Sequence, residues 1–195
     1  VSDEGRAPER FSGTFVSANA FSVIGQAPVL GRDFAPEDDR PGAAAVVLLG
    51  NSIWTNRYGR DPAILGRTIR VNDVPSVVVG VMPEGFRFPQ NADLWQPLAR
   101  VPGLETQKRG ARGIDVYGRL APDVPLEQAR AEFLAIGQRL IKAYPDTNKD
   151  VLPQVLTFNE RVNGGPIRVV FLSLMGAVAF VLLIACANVA NLLLA

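Results

Sequence analysis

The sequence predicts an α+β water-facing domain, with a mixed or antiparallel sheet, a hairpin and packed helices, followed by one transmembrane α-helix. Three observations carry this. No Asp, Glu, Lys or Arg follows Arg168 in a run that reaches residue 195, and a hydrocarbon core about 30 Å thick needs roughly 20 apolar helical residues. Two β-branched runs, Thr68–Val71 and Val74–Val81, are joined by Asn72 and Asp73 alone, which reads as a hairpin lacking the usual glycine. Leu126, Ala129, Phe133, Ile136, Gly137, Leu140, Ile141 and Tyr144 keep helical spacing for five turns. Strands and helices alternate irregularly, which favours α+β over a doubly wound parallel sheet.

In chain order, residues 1–10 are polar and turn-rich, a disordered end or the tail of a preceding element. Residues 11–17 alternate as a strand, and Asn19 to Ile24 make a short helical turn closed by Gly25. A breaker-rich loop with Glu37, Asp38 and Asp39 follows; these carboxylates lack the alternate spacing of a calcium loop. Residues 44–49 form a continuous apolar run that suits a strand buried on both faces. Ser52 to Tyr58 read as two helical turns that end at Gly59, with Trp54 as a core anchor. A phosphate loop is not present in 59–68: Gly59 and Gly66 stand too far apart, Arg67 replaces the lysine, and a strand follows.

Pro75 should hold the start of the second hairpin strand to an edge or bulge. Residues 83–98 read as a loop pinned by Phe86, Phe88 and Trp95, and residues 99–113 as a mobile surface connection. Residues 114–120 alternate Ile114, Val116, Gly118 and Leu120 inwards with Asp115, Tyr117 and Arg119 outwards, the pattern of a half-buried strand. Pro125 takes the first position of the amphipathic helix, with Glu127 in its first turn, and one face of that helix must pack on a sheet. Residues 151–158 read as a further strand. Gly164, Gly165 and Pro166 then make a joint that interrupts helix continuity before the membrane. The units expected are thus 1–10, a core domain 11–160, a linker 161–168 and the membrane helix 169–195.

Within that helix Asn188 and Asn191 share a face, and Ala187 and Ala190 keep its surroundings small. Such a face suits packing against other helices, or else the two amides reach the headgroup region near the helix end. Cys186 reads as a small hydrophobe. A chain that begins at Val1 and stops within an apolar run reads as a piece of a larger protein.

Composition narrows the chemistry. The 20 basic and 19 acidic residues, net charge +1, form no basic block, so nothing favours nucleic acid as a partner. A lone cysteine precludes an intrachain disulfide, and the absence of histidine removes imidazole acid/base chemistry and the common zinc sites. For an enzyme, Asp93 and Asp115 are the best candidates, yet no nucleophile and base stand at suggestive spacing. The catalytic, cofactor and metal positions expected of this chain are therefore none.

Several stretches together resemble MacB/FtsX-type ABC transporter permeases: VSANAFSVIG at 16–25 with GRDF at 31–34, VVLLGNSIW at 46–54, LGRTIRVND at 65–73, VVGVMPEGFRFP at 78–89, DLWQPL at 93–98, RLAPDVPLEQARAE at 119–132 and IACANVANLLLA at 184–195. The look is most similar to the duplicated orphan permeases of acidobacteria and related soil bacteria. Asp73 and Asp123 stand where the family often has glycine, and Pro125 where a capping Thr or Ser is common. The resemblance implies a MacB-like periplasmic core domain between two transmembrane helices, the second being the one seen here, in a bacterial inner membrane. It implies no cofactor in this chain, ATP being bound by a separate cytoplasmic ABC ATPase subunit. The implied partners are that ATPase, other permease helices or a second permease copy, and a periplasmic partner protein. Export or mechanotransmission is the implied role. Arg161 and Arg168 at the N-terminal end of the helix run against the preference of positive residues for the cytoplasm, although one flank alone does not decide topology. The other readings are a membrane-anchored sensory or structural domain and a membrane-anchored hydrolase.

Overall fold

A computed structural model of the chain describes residues 1–3, 6–164 and 166–194. It comprises two units, Val1–Ala121 and Pro122–Ala195. The first contains β1 (Gly13–Val16), α1 (Ala20–Ile24), β2 (Leu30–Gly31), β3 (Val46–Leu49), α2 (Asn51–Tyr58), β4 (Thr68–Val71), β5 (Val74–Val81) and β6 (Leu94–Pro97). The second contains α3 (Leu126–Ala143), α4 (Pro145–Asn148), α5 (Phe158–Asn163) and α6 (Pro166–Leu194).

The strands of the first unit form one mixed sheet in the order β1-β6-β3-β5-β2, with β4 also on β5. Pairs β1/β6 and β3/β5 are parallel; β3/β6, β2/β5 and β4/β5 are antiparallel. All four residues of β3 are buried, as a continuous apolar run requires when both faces are covered. Val47 and Leu49 join one core with Ile53 and Tyr58 of α2 and with Ile69, Val78 and Val81. Val46 and Leu48 join the other with Phe21 of α1, Phe34, Met82 and Trp95. Trp95 centres that second core: Phe21 and Phe86 rings lie 5.9 and 5.5 Å from it, and its indole N–H donates to the Phe88 carbonyl at 2.7 Å.

The hairpin forms where the β-branched runs predict it. Asn72 and Asp73 have φ of 49° and 64°, the left-handed pair that a tight two-residue turn demands. Asn and Asp tolerate this region better than other side chains, so no glycine is needed. Asp123 is also left-handed, at φ 63°. Pro75 pairs with Arg70 of β4, before β3 joins the opposite side of β5 at Val77, so its missing N–H faces no second strand. Glycine is obligatory where β2 meets β5. Gly31 has φ 78°, and a Cβ on it would lie 2.3 Å from the Val79 carbonyl oxygen.

Residues 1–3 and 6–10, expected to fray or to trail from a preceding element, are instead docked on the first unit. Ser2 exchanges backbone hydrogen bonds with Arg70 at 2.9 and 2.8 Å. The Arg57 and Asp3 side chains form an ion pair in which each is only 2% exposed. Arg57 also donates to Glu9 at 2.6 Å and to the Ala7 carbonyl, and the Arg6, Arg57 and Arg67 guanidinium groups lie 5.3 to 5.9 Å from the Tyr58 ring. Burial is the largest single influence and disfavours the Arg57 charge, but Asp3 and Tyr58 together outweigh it and raise the pKa. Burial likewise pushes the Tyr58 hydroxyl above its ordinary range.

Other expectations also need correction. Residues 94–97, read within a loop, are strand β6, buried at every position between β1 and β3; a short strand covered on both faces shows no alternation, and Pro97 at its end imitates a loop residue. Residues 114–120 form no strand despite their alternation. Their side chains find other partners: Tyr117 packs edge-on to Phe88 at 5.0 Å, and Arg119 donates to the Val23 and Ile24 carbonyls at the C-terminus of α1, at 2.9 and 2.7 Å, satisfying carbonyls that a helix end leaves without partners. The apolar positions are outside, with Val116 88% exposed. Residues 151–158 are an extended segment that enters α5 rather than a strand. Pro125 caps α3 from outside instead of occupying its first turn.

Among the described residues of the second unit there is no strand for α3 to pack on. The helix rests instead on the extended segment, and the contact is tight: a Cβ on buried Gly137 would lie 2.3 Å from the Pro153 ring. Phe133 and Ile136 remain exposed. Helix α6 begins at Pro166, three residues before the expected 169.

Breaking a buried ion pair leaves the surviving charge uncompensated. Asp3→Ala should therefore cost about 3 kcal/mol, the low end for a buried pair because Glu9 remains beside Arg57. Denaturant unfolding followed by tryptophan fluorescence checks this.

Candidate functional site

Helix α6 and the segment that leads to it are built from local chemistry. Helix α6 runs for 29 residues, about 43 Å at 1.5 Å per residue. Its stretch Arg168–Leu193 is long and apolar enough to cross a membrane and is wholly unburied. Such a surface is unfavourable in water and favourable in lipid. Ser173 donates to the Val169 carbonyl at 2.9 Å, so its hydroxyl is satisfied within the helix. Ala187, Asn188, Ala190 and Asn191 lie in the last turns, all exposed, with both amides on one face.

The segment that ends at Gly164 is held by specific bonds. Thr157 caps α5, accepting from the Glu160 N–H at 3.1 Å, while the Glu160 carboxylate accepts from the Thr157 N–H at 2.7 Å. This reciprocal capping satisfies two donors that a helix start leaves open. Arg130 of α3 binds the same carboxylate at 3.0 and 3.2 Å, the Val155 carbonyl at 3.0 Å and Glu127 at 2.8 Å. One guanidinium therefore holds α3, the extended segment and α5 together. The Thr157 N–H, then its hydroxyl, then Arg130 hold the Glu160 carboxyl below the ordinary carboxylate range.

Gly164 closes α5 with φ −84° and ψ 177°, its N–H bonded to the Glu160 carbonyl. A Cβ there would lie 2.2 Å from that carbonyl oxygen. Glycine is required by this close approach rather than by an unusual φ. Gly165 lies outside the described residues, and the backbone of Pro166 opens α6. Of the joint residues named from sequence, Gly164 thus has a defined steric role. The sequence signals the Glu160 cap through the pattern Thr-x-x-Glu at 157–160, but carries no local signal for Arg130 as its partner, thirty residues away.

The first unit carries an apolar groove of about 540 Å³ between β1 and α1 on one side and residues 98–117 on the other. Val23, Ile24, Leu98 and Val101 give it an apolar lining, and Asp115 is the sole charged residue along it. Asp93, the other carboxylate considered for catalysis, accepts from the Ser12 N–H at 3.1 Å and lies 3.5 Å from Arg87; it does not line the groove. Asp38 is bound by Arg32 at 2.5 Å and by the Ala35 N–H at 2.8 Å, and Asp39 accepts from the Ala18 and Ala99 N–H groups. These carboxylates staple loops. Among the described residues no cluster of three His, Cys, Asp or Glu side chains is gathered to hold a metal.

Comparison with known proteins bears on this arrangement. No curated protein matches the chain. Among solved structures, the periplasmic region of MacB from Actinobacillus actinomycetemcomitans is similar, with 21% identity and a TM-score of 0.48, over 70% of this chain. The chain spans 58% of the length of that structure. A domain from Porphyromonas gingivalis, described as part of a permease protein, is 16% identical with a TM-score of 0.49, over 82% of this chain and 75% of that one. The profile of the MacB-like periplasmic core domain matches residues 2–136, more than half of the sequence, and the chain belongs to that family.

Proposed function

We propose that this chain is the part of a MacB/FtsX-type ABC permease that joins a periplasmic core domain to the inner membrane. It conveys motion driven by a separate cytoplasmic ATPase, for export or mechanotransmission, and performs no chemistry of its own. The observation that carries this reading is a MacB-like core domain over residues 2–136 followed in the same chain by the unburied apolar helix Arg168–Leu193. ATP is bound by the ATPase subunit, and no cofactor is assigned to this chain.

In this reading the joint at 164–166 lies where motion must pass. The Arg130 clamp stiffens the water-facing side and Gly164 breaks the helix, so movement concentrates at a few residues. Asn188 stands about 30 Å from Arg168 along the helix axis. That distance matches the hydrocarbon thickness and puts the Asn188/Asn191 face near the far interface, where Ala187 and Ala190 allow a neighbouring permease helix or a second copy to approach.

Three outcomes test the reading. In intact cells, Asn148→Cys in a Cys186→Ser background should react with a maleimide that crosses only the outer membrane; labelling that needs inner-membrane lysis would invert the topology. Gly164→Ala should lower the coupled ATPase rate several-fold while leaving the protein in the membrane, and an unchanged rate in the reconstituted complex would remove the joint from the mechanism. The third concerns acid. Because the folded Glu160 pKa is depressed, its contribution is complete at neutral pH. It declines once pH falls below the unfolded carboxylate value of about 4.3, and is gone below the folded pKa. Hydrogen exchange of the α5 amides should show this acid-induced loss in the native protein and not in Glu160→Gln.

A further inference from the structure

The sheet of the first unit is open at β1, which pairs with β6 and, among the described residues, with no other strand. A strand directs its main-chain N–H and C=O groups to both sides within the sheet plane. Part of the β1 set therefore faces away from β6, and such an edge is a template for another strand.

The apolar groove lies along this edge. It touches Thr14, Phe15, Val16 and Ser17 in succession. Successive side chains of a strand stand on opposite faces, so a cavity that meets Thr14, Phe15 and Val16, three consecutive residues of β1, meets the strand edge-on. The opposite wall includes residues 113–117, which are in no strand. Its volume also suits a strand. A residue in a packed sheet occupies about 3.3 Å along the strand, 4.8 Å between strands and 10 Å through the sheet, or roughly 160 Å³. The 540 Å³ available therefore takes at least three residues of extended chain.

We propose that this groove binds a short extended peptide segment by strand addition to β1, with three to four uncharged residues, apolar at alternate positions. Main-chain hydrogen bonds to β1 supply the affinity, and the apolar wall of Val23 and Ile24 selects the side chains that face it. The assignment rests on the first unit alone and is independent of the permease reading.

The test uses the whole chain in detergent micelles and a fluorescent acetyl-Lys-Thr-Val-Thr-Val-Lys-amide, its lysines outside the groove. Saturable binding is expected, with hydrogen exchange of amides in 13–17 slowed at least tenfold. The same peptide N-methylated at alternate residues should bind at least tenfold more weakly, as should the parent peptide to Ile114→Asp. Equal binding of the methylated peptide would mean apolar adsorption and overturn the proposal. So would absent binding, or protection confined to residues outside the groove. If amides in both 13–17 and 113–117 are already protected in the free protein, the chain's own segment fills the edge and the proposal also fails.

Discussion

Covering β3 on both faces is the constraint from which the first unit follows. A four-residue strand with all its side chains buried needs two cores, one on each side of the sheet. Helix α2 and the hairpin close one side, and α1 with the Phe21, Phe34, Phe86 and Trp95 rings closes the other. The neighbours of β3 must then be strands, since a buried backbone has no water to bond. Strands β5 and β6 take those places. The short β2 reaches β5 only because Gly31 and Gly80 leave no side chain between two backbones.

The second unit solves a different problem. Helix α6 has no core of its own and presents apolar side chains all round, which is stable in hydrocarbon and not in water. What precedes it is polar and local: a capping box, a guanidinium shared by two carboxylates and a carbonyl, and a glycine held against a carbonyl oxygen. These bonds hold direction without requiring a large buried area. The Arg130 group is half-buried and the Glu160 group exposed, so their value lies in geometry more than in stability.

Residue patterns and tertiary surroundings carried different parts of the structure. The hairpin at 68–81, the buried strand at 46–49, the α2 helix with its Gly59 cap and the amphipathic helix from 126 all appear where local pattern places them. Strand β6 did not show, because burial on both faces erases alternation and Pro97 resembles a loop residue. Residues 114–120 failed in the opposite way: the alternation is present, but a strand needs a neighbour. Tyr117 and Arg119 instead bind Phe88 and the end of α1. The groove was not legible either, since its walls come from segments as distant as 14–17 and 113–117.

The sequence by itself determined the local conformations and the solvent each segment prefers. The Asn72-Asp73 turn, the Thr157 cap and the charge-free run after Arg168 act over a few residues, so their physics is complete in a short window. Tertiary structure alone decided which strands became neighbours, that Asp3 would be buried against Arg57, and that β1 would pair, among the described residues, with β6 alone. Those outcomes depend on pairing and desolvation between residues far apart in the chain, where the energy of each choice is set by what else is already in contact.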